Sequence, residues 1–218
     1  MNRLLFEKTG SAVYISHLDL MRVFQRAFRR AGFLLKHTGG FNQHAYVSLA
    51  LPLSVGTASV CEILDYEMDT DCGGNALRDA LNQVLPAGIR VLSAYESNRK
   101  LKELTTLRAE VFLEYDAGVP EEAEAELEAL FARDTLTITK HGKHGDSEVD
   151  LHPMLRSVSV QREDANTVRL EAEVSAQNPS LNPMLLPSAI ERYLPSMKPD
   201  FSRCRRLEVL DVSGKPFR

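Results

Sequence analysis

The segment spanning residues 16–32, SHLDLMRVFQRAFRRAG, carries the side chains of this chain that are best suited to binding an anion. At about 100° per helical residue, four of its arginines fall within a stripe roughly 100° wide, namely Arg22, Arg26, Arg29 and Arg30. Guanidinium groups at this spacing can contact successive phosphates, because each presents a planar fork of donors. The stripe therefore predicts a phosphate-binding helix face, and a solvated helix surface is the alternative.

His17 stands at the first position of the same expected helix. An imidazole at a helix start can act as a neutral base or as a neighbour of a bound phosphate, although many such residues are surface or capping residues. No second histidine at a diagnostic spacing and no nucleophile accompany it. We therefore predict no catalytic residue and keep His17 as the candidate should a reaction be found.

The segment 37–48, HTGGFNQHAYVS, combines paired glycines, an aromatic ring, an amide and a histidine. Glycines such as Gly40 allow close backbone approach to a ligand, and Phe41 can stack on a base. Asn42 and His44 can hydrogen-bond base edges or phosphate. We predict that this loop joins the arginines in binding RNA; the alternative is a hairpin connection with Phe41 in the core.

Net charge is −4 over 218 residues, but it is unevenly distributed. Residues 1–60 hold seven basic and two acidic residues, whereas residues 101–150 hold five basic and thirteen acidic ones. Local potential attracts a polyanion more than total charge does, so an RNA partner stays compatible with the acidic total.

Other classes of protein lack their usual sequence support. No P-loop, GxGxxG, HExxH or GxSxG pattern occurs, and the three cysteines form no CxxC, so we expect no cofactor and no metal. No apolar run reaches the length of a membrane span, and residues 1–20 do not resemble a signal peptide. The expected location is cytoplasmic, with no membrane partner.

Hydrophobic periodicity predicts the elements of the first half of the chain. Ser16 and Asp19 predict a capping box for a helix to about Arg30. Its expected apolar face is Met21, Phe24, Phe28 and Ala31. The other expected elements are strands at 4–8, 33–36, 46–51 and 58–68, a helix at 74–84 and a strand at 89–94.

The second half repeats this arrangement. The expected elements are strands at 107–115, 135–140, 149–160, 167–174 and 204–212, with helices at 121–133 and 185–193. We predict an α+β protein of two tandem ferredoxin-like (βαββαβ) units with antiparallel sheets, covering residues 1–103 and 104–218. The strand at 135–140 is expected to extend the second sheet. A single domain with a long mixed sheet is the alternative.

Several segments of residues 6–68 resemble the bacterial radical-SAM-linked protein family, a domain of unknown function found alone or fused behind radical S-adenosylmethionine enzymes. They are FEKTG, YISHLDLMRVFQRAFRRAGF, GGFNQHAYVSLALPLSVG and the following Glu62. Where the family reads GFNPHP and a basic residue, Gln43, Ala45 and Tyr46 replace the prolines and that basic residue. The resemblance implies an accessory domain, often encoded near RNA-processing genes, and no radical chemistry, because the chain lacks a CxxxCxxC trio.

Three functions follow as hypotheses. The first is a noncatalytic RNA-binding or RNA-handling accessory protein that uses the arginine stripe and the Gly-Phe-Asn loop. The second is a protein-interaction module that positions substrate for a separately encoded radical SAM enzyme. The third, a metal-independent ribonuclease using His17, follows from a weaker resemblance of fold to tandem ferredoxin-like RNA-binding proteins of CRISPR systems, whose C-terminal glycine-rich loop is missing from residues 201–218.

Overall fold

A computed structural model describes residues 1–41, 43–69, 72–142 and 145–218. The chain is an α+β protein with antiparallel strand pairing, as predicted. Its residues form two compact units, one of residues 1–103 with 217–218 and one of residues 104–216. In the part of the chain described, no helix has the length and apolar character needed to cross a membrane.

The first unit has the element order strand, helix, two strands, helix, strand. Its elements are β1 (Asn2–Lys8), α1 (His17–Arg30), β2 (Val47–Leu49), β3 (Thr57–Tyr66), α2 (Gly74–Val84) and β4 (Ile89–Glu96). Within this unit the strands lie in the order β4-β1-β3-β2, and neighbouring strands are antiparallel.

Both helices of the first unit pack on one side of its strands. Alternate strand residues such as Leu4, Phe6 and Leu64 are fully buried with the inner residues of the helices. Phe6 contacts Phe24 of α1 edge-on, with ring centroids 4.7 Å apart. This packing leaves the opposite side of α1 exposed.

Helix α1 begins as predicted, because the Ser16 side chain caps it. The amide of Asp19 donates to Ser16 Oγ at 3.2 Å, and the hydroxyl donates in turn to the Asp19 carboxylate at 2.8 Å. The expected apolar face packs on the core, since Phe24 and Phe28 are buried and Met21 and Ala31 are partly buried against it. The buried face also includes Leu20 and Ala27, which the pattern did not predict.

The expected strand at residues 33–36 is wrong. The segment forms isolated bridges instead, Leu35 with Met68 and His37 with Ala45. Residues 35–37 thus lie between the segments that contain Met68 and Ala45, and they do not form the continuous pairing of a β-strand. An apolar run of this length does not distinguish a strand from a packed loop.

The second unit has the same order of elements with one added hairpin. Its elements are β5 (Leu104–Glu114), α3 (Ala123–Phe131), β6 (Thr137–Gly142), β7 (Gly145–Asp150), β8 (Leu155–Arg162), β9 (Thr167–Ser175), α4 (Leu186–Tyr193) and β10 (Phe201–Asp211). Within this unit β10, β5, β9 and β8 lie side by side and are antiparallel.

Two expectations for the second unit are wrong. The run 149–160 is not one strand, because a 3-10 turn at His152–Met154 separates β7 from β8. The strand β6 does not extend the main sheet either, since it pairs with β7 in a separate two-stranded sheet.

Candidate nucleic-acid interface

All four arginines of α1 are exposed, but their guanidinium groups have different neighbours. Arg22 donates to the Asp19 carboxylate at 2.8 Å, one turn earlier. Arg30 donates to the carbonyl oxygen of Val84 at 2.7 Å. Within the described ranges, Arg26 and Arg29 have no hydrogen-bond or ion-pair partner, so these two are available to an external anion.

The Asp19 carboxylate partly neutralises the start of the arginine stripe. Its hydrogen bond with Ser16, and then its hydrogen bond and ion pair with Arg22, hold the pKa of Asp19 below 3.8. Asp19 is therefore ionised near neutral pH, and it offsets the charge of Arg22. The positive charge of Arg26, Arg29 and Arg30 lies further along the helix, and of these only Arg30 is held by a protein hydrogen bond within the described ranges.

A cavity of about 470 Å³ opens beside these two arginines, and we call it the α1 cavity. It is lined by Gln25, Arg26, Arg29, Phe33, Leu34, Leu35, His37 and Ala45. Its walls are thus mostly apolar, with two cationic side chains from the helix. Such a combination suits a ligand that carries both an apolar surface and negative charge.

The end of α1 directs the chain around this cavity. Gly32 adopts a left-handed φ of 84°, which closes the helix. The backbone amide of Gly32 donates to the carbonyl oxygen of Arg29 at 3.2 Å, and that of Phe33 donates to the carbonyl oxygen of Phe28 at 2.9 Å. The side-chain amide Nε2 of Gln25 donates to the carbonyl oxygen of Ala45 at 2.8 Å. Helix and loop are therefore fixed to each other on both sides of the cavity.

The loop of residues 37–45, which contains the Gly-Phe-Asn sequence, is called the glycine loop below. It begins and ends at the α1 cavity, because His37 and Ala45 both line that cavity. Inside the loop, the amide of Thr38 donates to the carbonyl oxygen of His44 at 2.9 Å, and the amide of His44 donates to Thr38 Oγ1 at 3.2 Å. Gly40 has a left-handed φ of 99°, in keeping with its place in the turn.

The ring of Phe41 is fully exposed, which rules out the alternative that it lies in the core. An exposed aromatic ring on a hydrogen-bonded loop has the form of a stacking platform. Asn42, the remaining predicted residue of this loop, lies outside the described residues.

His17 lies apart from these groups. It is half-buried at the start of α1, about 140° around the helix from Arg22 by helical geometry. Its Nδ1 atom is buried and has no hydrogen-bond partner in the described part of the chain. Its role stays a prediction, since the structure does not bring it to the α1 cavity.

The apolar residues that line the α1 cavity were not predicted from the sequence as site residues. Phe33, Leu34 and Leu35 line the α1 cavity, whereas the pattern predicted a strand there. Leu34 is 75% exposed, which is unusual for a leucine beside a core helix. The sequence carries no signal that identifies these three residues, because apolar residues of a cavity wall and of a core have the same pattern.

A buried ion pair in the first unit was also missed. Arg3 binds Asp65 through two hydrogen bonds of 2.6 and 3.2 Å and donates to Ser97 Oγ at 3.0 Å. Arg3 is wholly buried, and its guanidinium lies over the ring of Phe217.

A second cavity, of about 370 Å³, lies next to this ion pair, and Arg3, Asp65 and Tyr46 are among the residues that line it. Burial, and then the charges of Asp65 and Glu67, raise the pKa of Tyr46.

Arginines of the second unit differ from Arg26 and Arg29 because many of them lie in ion pairs. Arg169 and Arg205 both bind the buried Glu110, at 3.1 and 2.8 Å. Arg203 binds Glu114 at 2.7 Å. In the described ranges, no three His, Cys, Asp or Glu residues are grouped so that they could hold a metal ion.

The chain belongs to the family described as "Uncharacterized protein conserved in bacteria (DUF2344)", whose model matches residues 2–183. This match confirms the expected bacterial domain of unknown function. No curated protein matches the chain.

The solved structures that are similar to this one include the following two. The crystal structure of a Cbf5-Nop10-Gar1 complex has a TM-score of 0.51 at 10% identity, over 95% of this chain and 48% of the other. An unknown protein from Galdieria sulphuraria has a TM-score of 0.27 at 11% identity, over 94% of this chain and 96% of the other. The chain spans about half the length of the chain from the Cbf5 complex. At this identity that likeness indicates a related α/β fold and nothing of function.

Proposed function

We propose that this protein is a noncatalytic RNA-binding accessory protein, and that α1 and the glycine loop form its binding surface. The observation that carries the proposal is the position of Arg26 and Arg29, which have no partner in the described ranges and open onto the α1 cavity. Unpaired guanidinium groups on an exposed helix face suit the phosphates of a nucleic-acid backbone.

Each predicted residue except His17 has a place in this proposal. Arg26 and Arg29 hold phosphates, and the exposed ring of Phe41 stacks on a base. Arg22 and Arg30 contribute less, because each already has a hydrogen-bond partner in the protein. The roles assigned to Gly40, Asn42 and His44 are those expected from the sequence, namely close approach and hydrogen bonds to the RNA.

The test is fluorescence anisotropy with a pool of short single-stranded and hairpin RNAs. The variant Arg26→Glu/Arg29→Glu should bind at least about tenfold more weakly than wild type, because it replaces two phosphate contacts by repulsion. The matched control is Lys102→Glu/Arg156→Glu, which changes net charge equally at two exposed residues outside α1. Equal RNA affinity of wild type and the Arg26→Glu/Arg29→Glu variant would overturn the proposal.

A protein-interaction module is the second proposal, and the surface of α3 favours it. Glu124 and Glu128 are one turn apart on this short helix and both are exposed, and Glu124 accepts a hydrogen bond from the Arg162 amide at 2.8 Å. Such an acidic pair can bind a basic partner. The partner proposed from the family resemblance is a separately encoded radical SAM enzyme. Recovery of such an enzyme from the native host with wild type, and its loss with Glu124→Lys/Glu128→Lys, would support this reading.

We propose further that both units are ferredoxin-like and act in the cytoplasm. The support for the fold is the strand order, which is β4-β1-β3-β2 in the first unit and β10-β5-β9-β8 in the second, where the β6–β7 hairpin forms a sheet of its own. In both units the last strand of the sheet lies beside its first strand, as in a βαββαβ unit. The cytoplasmic location remains the one expected from the sequence.

A further inference from the structure

We propose that the α1 cavity receives one unstacked base of a single-stranded RNA segment, so that the protein selects single strands over duplex. This inference rests on the proposed RNA-binding function and adds the class of RNA and the place where a base is held. Its starting point is the chemistry of the cavity, which differs from that of a plain phosphate site.

The cavity is large enough for a nucleotide, and its apolar walls do not suit a phosphate alone. Its volume of about 470 Å³ lies within the usual range of roughly 300–1,000 Å³ for small-molecule sites. Phe33, Leu35 and Ala45 provide apolar walls. A phosphate would gain nothing from these walls, whereas the faces of a base are apolar and stack on such surfaces.

The charges beside the cavity identify what must be attached to that base. Arg26 and Arg29 line the same cavity and lie on an exposed helix face with no partner in the described ranges. An occupant that satisfies both halves of the site carries a flat apolar group joined to an anion. A nucleotide within a strand has both, with a phosphate on each side of its base.

The geometry disfavours duplex RNA for two reasons. The deep, narrow major groove of A-form RNA does not admit side chains, so α1 cannot read a duplex from that groove. A paired base is also stacked on both faces and cannot enter a cavity between a helix and a loop. A single strand can place one base in the α1 cavity while neighbouring phosphates follow α1.

The glycine loop supplies a second stacking surface. Because the loop leaves the cavity at His37 and returns to it at Ala45, the exposed ring of Phe41 belongs to the same part of the molecule. A base next to the one in the cavity can stack on this ring. A strand can place one base in the α1 cavity and the next base on Phe41 only if it is flexible and unpaired.

The experiment compares a decanucleotide that contains one 2-aminopurine with a hairpin RNA of the same charge. Wild type should bind the single strand at least about tenfold more tightly and change the 2-aminopurine fluorescence, since stacking contributes to the binding of an unpaired base. Ala45→Leu narrows the cavity without changing charge and keeps the carbonyl oxygen that Gln25 binds. It should weaken single-strand binding about fivefold or more. The matched control Ala76→Leu, at an exposed position of α2, should bind as wild type does.

The outcomes separate this inference from the proposed function. If both RNAs bind equally, Ala45→Leu has no effect and Arg26→Glu/Arg29→Glu still abolishes binding, the base pocket is wrong and the RNA-binding function stands. If wild type binds neither RNA, both are wrong. Binding of an acidic, tyrosine-containing peptide in place of RNA would also overturn both. Circular dichroism of Ala45→Leu identifies loss of folding, and in that case Phe33→Ala replaces it in the same comparison.

Discussion

Individual side chains decide which arginines of α1 can act on a ligand. The four share one side of the helix, yet Asp19 engages Arg22 and the Val84 carbonyl oxygen engages Arg30. The sequence indicates the first contact, because Asp19 and Arg22 are three residues apart on the helix. It does not show the second, because the carbonyl group of Val84 lies 54 residues away from Arg30 along the chain. The site is therefore narrower than the stripe that predicts it.

The pKa of Asp19 tests this assignment directly. Arg22→Ala should move the pKa of Asp19 up toward 3.8, because the hydrogen bond and ion pair with Arg22 both favour the carboxylate. A carboxyl group whose pKa is lowered by folding stabilises the protein above its unfolded pKa, and this contribution is lost as the pH falls through the folded value. NMR titration of the Asp19 side chain measures the shift. An unchanged pKa in the variant would contradict the contact.

The ion pair of Arg3 and Asp65 predicts a large effect on stability. Asp65→Ala leaves a wholly buried guanidinium without its carboxylate and should lower the free energy of unfolding by about 3–5 kcal/mol. The double variant Arg3→Met/Asp65→Leu removes both charges and should be less destabilised than Asp65→Ala. Urea denaturation monitored by circular dichroism measures all three proteins. A double variant less stable than Asp65→Ala would contradict the argument.

At the scale of elements, close contact between α2 and β4 depends on one glycine. A Cβ atom on Gly74 would lie 2.1 Å from the carbonyl oxygen of Ala94, so the helix can start this close to the strand only without a side chain. Gly74→Ala should therefore lower the free energy of unfolding by more than about 1 kcal/mol. Thermal denaturation measures the loss.

Gly39→Ala is the matched control for this prediction. A Cβ atom at Gly39 has nothing within 4 Å, and its φ is not left-handed, so the substitution should leave the free energy of unfolding close to that of wild type. Equal stability of Gly74→Ala and Gly39→Ala would contradict the close packing of α2 on β4.

The helices and long strands of the first unit could be predicted from the sequence because their periodicity is strong and their ends are marked. Ser16 marks the start of α1, and α2 occupies the expected residues 74–84. The conformation of residues 33–36 could not be predicted from the sequence, since their apolar side chains line a cavity and Leu35 forms an isolated bridge with Met68. Such contacts are set by distant parts of the chain, which local pattern does not contain.

The predicted site shows the same division. Residue type and spacing predict the arginines and Phe41 as site residues, whereas Phe33, Leu35 and Ala45 become candidates only because they line the cavity. Apolar residues in a wall and in a core have identical sequence signatures. Tertiary structure alone distinguishes them.

At the scale of the whole molecule, total charge is a poor guide to the partner. The chain has a net charge of −4, yet residues 1–60 carry seven basic and only two acidic residues. Arginines of the second unit such as Arg169, Arg203 and Arg205 are held in ion pairs, so they add little to an external anion site. The proposal assigns the phosphate contacts to Arg26 and Arg29, which line one cavity beside α1, so salt should weaken RNA binding mainly through that helix.

The salt dependence of single-stranded RNA binding tests the central claim most directly. If Arg26 and Arg29 each neutralise one phosphate, Arg26→Ala/Arg29→Ala should make the slope of log K against log salt concentration shallower by about 1.4, because each phosphate contact on a single strand contributes about 0.7. Lys102→Ala/Arg156→Ala should leave the slope of wild type unchanged. A wild-type slope retained by the Arg26→Ala/Arg29→Ala variant would contradict the account, since phosphates would then be bound elsewhere on the protein.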